Sequence, residues 1–187
     1  MKIVPSEFSN PAWNCFILAK EIAYKNHQQN VDSDNLFLAL IKQDVLTKKI
    51  LKKNNVNIKE FEKKIMSSLK TKAKMKNKQD NLYIGDALYK IFLKANDIKN
   101  TLDDVVISTE HLVCGLTYDD KYGSQILNQK SIPEFLETIQ KMKSDPASKN
   151  EFDTSNESLD KYGIDLTQSA RDGALDPVIG RLSLIHI

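Results

Sequence analysis

One stretch of this chain occurs twice, and nothing else in the sequence limits the fold so tightly. Val31-Asp32-Ser33-Asp34-Asn35-Leu36-Phe37-Leu38-Ala39-Leu40 recurs 76 positions later as Ile107-Ser108-Thr109-Glu110-His111-Leu112-Val113-Cys114-Gly115-Leu116. Each copy reads as a β-branched residue, a hydroxyl N-cap, an acid in the first turn and then an apolar helical run. The hydroxyl accepts from free backbone N–H groups, and the acid sits at the positive end of the helix dipole. Held at that offset from Ala12 to Leu51, the two halves share eight identities in forty positions. Seven are apolar: Phe16/Phe92, Ala19/Ala95, Ile22/Ile98, Leu36/Leu112, Leu40/Leu116, Ile50/Ile126 and Leu51/Leu127; the eighth is Asp44/Asp120. Identity concentrated at apolar packing positions marks a duplicated helical module.

The same reading orders the flanking elements. Asn10-Pro11 starts a helix whose apolar face is Trp13, Phe16, Ile17, Ala19, Ile22 and Ala23, ending near Lys25. After the repeated stretch comes a short helix around Thr47 to Lys53, then a fourth opened by an Asn57/Glu60 capping box with Val56 and Phe61 as its staple. The second module repeats this order. Leu88, Ile91, Phe92, Ala95 and Ile98 form a face, Ile126 and Leu127 anchor a short helix, and Ser131/Glu134 form a capping box. Phe135 and Ile139 then match Phe61 and Ile65. The fold class is therefore all-α, four helices plus four, packed about a pseudo-two-fold axis. Residues 1–143 form the repeat domain, with repeats over about 8–76 and 84–143.

Composition narrows the functional classes. The 187 residues carry a net charge of only +2, which points to no polyanion partner for the chain as a whole. No apolar run approaches the roughly 18 to 20 residues that span a bilayer, and the first residues open no signal peptide, so cytoplasmic residence is expected. Cys15 and Cys114 stand opposite Ile91 and Leu38 in the other copy, which makes them small buried hydrophobes. His27, His111 and His186 share no ligand spacing with either cysteine, and no metal site is expected. Trp13 and Tyr89, equivalent in the two copies, are expected in the core or between modules.

The Lys48–Lys78 stretch holds twelve lysines against Glu60 and Glu62. A nucleic-acid-binding helical module is the alternative function this raises. The stretch has no arginine, and its one aromatic, Phe61, is assigned to the core, so bidentate contacts and stacking platforms are missing. A solvated face is the better reading, and no specific nucleic acid is expected as partner.

Beyond Ser144 the character changes. Residues 144–158 are rich in Asp, Ser, Asn and Glu and read as a linker. Residues 182–187, Leu-Ser-Leu-Ile-His-Ile, back-translate to a transposon end used in library preparation and are set aside as a scar. Between them, Lys161-Tyr162-Gly163-Ile164-Asp165-Leu166-Thr167, continuing to Asp176-Pro177-Val178-Ile179-Gly180-Arg181, closely resembles the start of the first AAA+ module of Clp-type chaperones. The opening is more similar to ClpB-type disaggregases than to the ClpC-type protease partners. Phe8-Ser9-Asn10-Pro11-Ala12-Trp13 looks most like cyanobacterial members.

That resemblance implies a receptor domain for unfolded or aggregated polypeptides. It implies a longer protein that uses ATP and Mg, assembles as a homohexamer and works with a DnaK-type chaperone. By residue-to-residue match, the family's binding positions fall on Ser9, Asp104 and Glu110, with Ile98 and His111 along an apolar groove; Val178 and Ile179 match the adenine side. No Gly-x-x-x-x-Gly-Lys-Ser/Thr loop occurs in the 187 residues, so no catalysis is expected of the chain as given.

Overall fold

The two copies of the repeated stretch are the central helices of the fold. Ser33–Ile41 is buried residue by residue, and so is Thr109–Leu116. The computed structural model describes residues 3–72, 75 and 82–144. The chain divides into two units, Met1–Thr154 and Ser155–Ile187, and every described residue lies in the first. The linker after Ser144, the AAA+-like segment with Val178 and Ile179, and residues 182–187 lie outside the described residues.

The elements run in the expected order. A short 3-10 turn, Pro5–Glu7, precedes α1 (Asn10–Lys25), β1 (Asn30–Val31), α2 (Ser33–Gln43), α3 (Val45–Lys53) and α4 (Ile58–Thr71). The second module has β2 (Tyr83–Ile84), α5 (Asp86–Thr101), α6 (Thr109–Leu116), α7 (Gly123–Leu127) and α8 (Ile132–Ser144). Within each module α1 packs on α2 and α5 on α6, while α3 lies against α6 and α2 against α5 across the modules. Leu36, Leu40, Leu112 and Leu116 are completely buried. Each contributes roughly 1.5–3 kcal/mol relative to exposure. Cys15 and Cys114 are free and buried, as their counterparts required. Burial, with Asp44 nearby, pushes the Cys15 thiol up to about 12.

The pairings between modules are reciprocal. β1 runs parallel to β2, with Val31 opposite Ile84, and Phe8 bridges to Ile107. Phe8 and Ile84 are equivalent in the two copies, as are Val31 and Ile107, so each module lends its lead-in segment to the other. The bonds repeat as well: Gly85 N–H donates to the Val31 carbonyl at 2.9 Å, and Ser9 N–H to the Ile107 carbonyl at 2.9 Å. Sequence periodicity gave no sign of these two-residue strands.

Several local expectations are corrected. Ser9, not Asn10, caps α1 by accepting the Ala12 N–H at 3.4 Å. In the first copy the cap position is Asp32, so Ser33 is already helical. The third helix starts two residues early because Asp44 accepts the Thr47 N–H at 2.6 Å. Ile17, placed on the inner face by spacing, is 38% exposed, and Tyr89 is 39% exposed. Both sit at the edge of a face wider in sequence than the area its neighbours cover. Trp13 packs between Phe8 and Phe16 as expected.

Candidate binding site: lysines clasped on paired carboxylates

Each module builds the same polar frame at the N-terminus of its central helix. The preceding turn passes through a left-handed residue, His27 (φ 55°) or Asp103 (φ 56°). Next comes a polar side chain, Gln28 or Asp104, which bonds the N3 residue of the helix. Asn35 Nδ2 donates to Gln28 Oε1 at 2.7 Å, and His111 Nε2 lies 2.9 Å from Asp104 Oδ2. The N3 side chain also reaches back to the cap. Asp32 N–H donates to Asn35 Oδ1 at 2.9 Å, and Ser108 N–H to His111 Nδ1 at 2.9 Å. His111 is thus the counterpart of Asn35, satisfying an otherwise orphan helix-end donor. With Nδ1 accepting, its proton sits on Nε2 and is donated to Asp104. Burial, with Lys143 nearby, lowers His111 to about 4 against the pull of Asp104, so the ring is neutral.

The first-turn acids Asp34 and Glu110 are only 1% and 2% exposed. Such carboxylates require a partner, and each finds a lysine from the far end of its module's last helix. Lys143 Nζ stands 2.5 Å from Asp104 Oδ2 and 3.3 Å from Glu110 Oε1. Lys72 Nζ stands 2.7 Å from Asp34 Oδ2 and 3.0 Å from Asp32 Oδ2. Burial alone would depress either ammonium. The bonds to the acids outweigh it and hold both lysines above their ordinary value. Burial pushes the Glu110 carboxyl up, against the attraction of Lys143.

The first clasp has further partners from the second module. Lys121 Nζ reaches Asp34 Oδ1 at 2.7 Å, and the buried Tyr122 hydroxyl donates to the same oxygen. Burial, which would raise Asp34, is overcome by Lys121, Lys72 and Tyr122, so its carboxyl lies below the ordinary value.

Of the residues singled out in sequence, Asp104, Glu110 and His111 converge, their ligand atoms within 4.8 Å of one another. That spacing would suit a metal ion, but the Lys143 ammonium already stands against both carboxylates. Ser9 joins through the backbone, bonded to Ile107 and hence to the lead-in of α6. Ile98 is a buried core residue of α5. Lys143 was missed in sequence, since a lysine in a last turn reads as a dipole partner for its own helix. Asp104 is the solvent-reaching member, its side chain 33% exposed.

A groove with apolar walls lies elsewhere. Ile17, Tyr24 and Leu82 line a groove of about 340 Å³ with Lys20, Glu21 and Lys25. On the lysine-rich stretch, Lys52, Lys53, Lys59, Lys63, Lys64 and Lys70 are exposed, while Phe61 is buried against Phe37 and Tyr122. That surface has charge but no aromatic platform. No helix among the described residues is long and apolar enough to cross a membrane.

Comparison with known proteins agrees with this architecture. Residues 7–130 match the family described as the Clp repeat (R) N-terminal domain. The chaperone protein ClpB of Prochlorococcus marinus is 35% identical over 184 residues, covering 97% of this chain and 21% of that protein. ClpB of Gloeobacter violaceus is 35% identical over 181 residues, with 95% and 21% covered. The chain thus spans about a fifth of the length of the curated relatives it matches. Among solved structures, the Hsp104 N-terminal domain from Candida albicans superposes with a TM-score of 0.63 at 18% identity, covering 74% of this chain and 92% of that one. The N-terminal domain of ClpD from Arabidopsis thaliana gives 0.53 at 18% identity, with 74% and 98% covered.

Proposed function

The chain belongs to the Clp repeat N-terminal domain family, and from that premise we propose that it is the substrate-receptor domain of a ClpB-type disaggregase, binding unfolded or aggregated polypeptides. The observation that carries this reading is the reach of the resemblance: a relative described as a ClpB chaperone aligns with 97% of the chain. The chain as given is not an ATPase, since its 187 residues contain no phosphate-binding loop. For the longer protein we propose ATP- and Mg-dependent disaggregation by a homohexamer, with a DnaK-type partner, in the cytoplasm.

The binding residues are proposed at Ser9, Ile98, Asp104, Glu110 and His111. Asp104 is the first point of contact, because it alone of the clasp's acids and histidine reaches solvent. A client amide that bonds Asp104 competes with Lys143, whose displacement frees Glu110. Ser9 is tied to the lead-in of α6 through Ile107, and Ile98 belongs to the core of α5. Removing Lys143 from its acids opposes binding, so affinity is expected to be weak.

The test is fluorescence anisotropy of a labelled unfolded polypeptide against the parent chain and the isosteric double variant Asp104→Asn, Glu110→Gln. Weak binding by the parent and a several-fold loss in the variant are expected, with helical circular dichroism retained. Equal affinities would remove the carboxylates from the site. No association with the parent would overturn the receptor reading itself.

A further inference from the structure

Two turns that are copies of one another meet across the modules. Asn54-Asn55 closes α3 and Asn128-Gln129 closes α7. Each turn enters the left-handed region, with Asn55 at φ 57°, Asn128 at 45° and Gln129 at 72°. They are tied together: Asn128 Nδ2 donates to the Asn54 carbonyl at 3.0 Å, and Lys130 Nζ to Asn54 Oδ1 at 2.7 Å. Beside this junction opens a groove of about 410 Å³. Asn55, Asn57, Gln125 and Asn128 line it, over the nearly covered ring of Phe61. Its volume lies within the range of ligand sites.

The lining is unusual in being amide-rich and nearly neutral. Glu60 and Lys64 are its two charged members and cancel. The lining itself thus carries no net charge, although exposed Lys53, Lys59 and Lys63 stand on the same surface. The side-chain amides of Asn55 and Gln125 make no hydrogen bond among the described residues. Each offers an N–H donor and a carbonyl acceptor, which is the pair that every non-proline peptide unit presents.

We propose that this groove binds the main chain of an extended polypeptide, pairing amide to amide whatever the side chains, as a second contact separate from the carboxylate clasp. The occupant rests on the receptor reading, since unfolded chains present unpaired main-chain amides.

The test uses the full chain and a labelled twelve-residue peptide of Gly, Ser, Ala and Thr, with no charged or large apolar side chain. The variant is Asn55→Gly with Gln125→Ala; glycine suits the positive φ of residue 55, and alanine suits the helix at 125. The parent is expected to bind, and the variant to bind about ten-fold more weakly at an unchanged melting temperature. A peptide with alternate amides N-methylated should bind the parent no better than the plain peptide binds the variant. Equal affinity of parent and variant, indifference to methylation, or no binding of the neutral peptide to the parent would each overturn the groove. If unfolded protein fails to bind while the neutral peptide binds through Asn55 and Gln125, the groove stands and the receptor reading falls. Loss of neutral-peptide binding in the Asp104→Asn, Glu110→Gln variant alone would reassign the contact to the clasp.

Discussion

His111 shows how one residue type can suggest chemistry while serving the backbone. It is completely buried and neutral, and its two nitrogens are used by Ser108 N–H and Asp104. Asn35 performs the same two tasks in the other copy, with Asp32 and Gln28. His111→Asn should therefore retain the helix-end bond that His111→Ala would lose. The substitution also has a pH signature. Because burial depresses the folded pKa to about 4, the unfolded chain binds more protons between that value and the ordinary 6.5. The contribution of His111 is complete above about 6.5 and declines as pH falls toward 4, at up to about 1.4 kcal/mol per pH unit. Glu110, raised by burial, acts in the opposite sense, so the parent's own profile is a sum of the two. The difference in stability between parent and His111→Asn, followed by denaturant unfolding from pH 7 to pH 4, isolates the histidine. The parent should lose more than the variant across that window; parallel curves would mean that folding leaves the pKa of His111 at its ordinary value.

At the scale of elements, the contact between α5 and α6 depends on a missing side chain. Gly115 occupies the position of Ala39 in the first copy, yet a Cβ added there would lie 2.6 Å from the Ile91 carbonyl oxygen and 3.1 Å from Ile91 Cγ2. The obstacle includes backbone, which cannot rotate away. Helix propensity alone predicts that Gly115→Ala stabilises by about 1 kcal/mol. Overpacking against α5, at roughly 1 to 3 kcal/mol, should outweigh that gain. The expected result is a lower denaturation midpoint for Gly115→Ala. A raised midpoint would show that α5 and α6 stand further apart than the glycine implies.

The molecule as a whole is held by contacts that cross the repeat. Each lead-in segment pairs with the other module, and Lys121 and Tyr122 of the second module anchor on Asp34 of the first. Asp34 and Glu110 are therefore equivalent in sequence but not in role, since only Asp34 joins the modules in this way. Asp34→Ala would take the acceptor from the completely buried Tyr122 hydroxyl, while Lys72 (side chain 29% exposed) keeps Asp32 and Lys121 (41% exposed) keeps Ser68. Solvent relieves the lysines, so the cost should be about 1 to 3 kcal/mol, chiefly from the hydroxyl. Calorimetry should find one transition at a lower temperature, because the shared core still couples the modules. Separate transitions for two halves would contradict that coupling.

Local rules determined much of this protein from sequence alone. The number, order and inward faces of the helices, the N-cap at Asn57, the capping box at Ser131 and the buried cysteines all follow from periodicity and short-range hydrogen bonding. The expected reciprocal bond from Glu60 goes to the Asn57 side chain instead of its backbone. Both halves obey the same pattern, which made the duplication legible. The candidate site was legible only as the separate positions Ser9, Ile98, Asp104, Glu110 and His111, and only through family resemblance; that three of them converge was not. What closes it is Lys143, a lysine no local rule connects to α6. Tertiary structure alone decided that partner, the exposure of Ile17 and Tyr89, the exchanged lead-in strands and the amide-lined groove between turns. Periodicity records which face of an element is apolar, but not which distant charge neutralises a buried acid. Burial of Asp34 and Glu110 in low dielectric made such partners necessary, and the packing of the two modules determined which lysines could reach them.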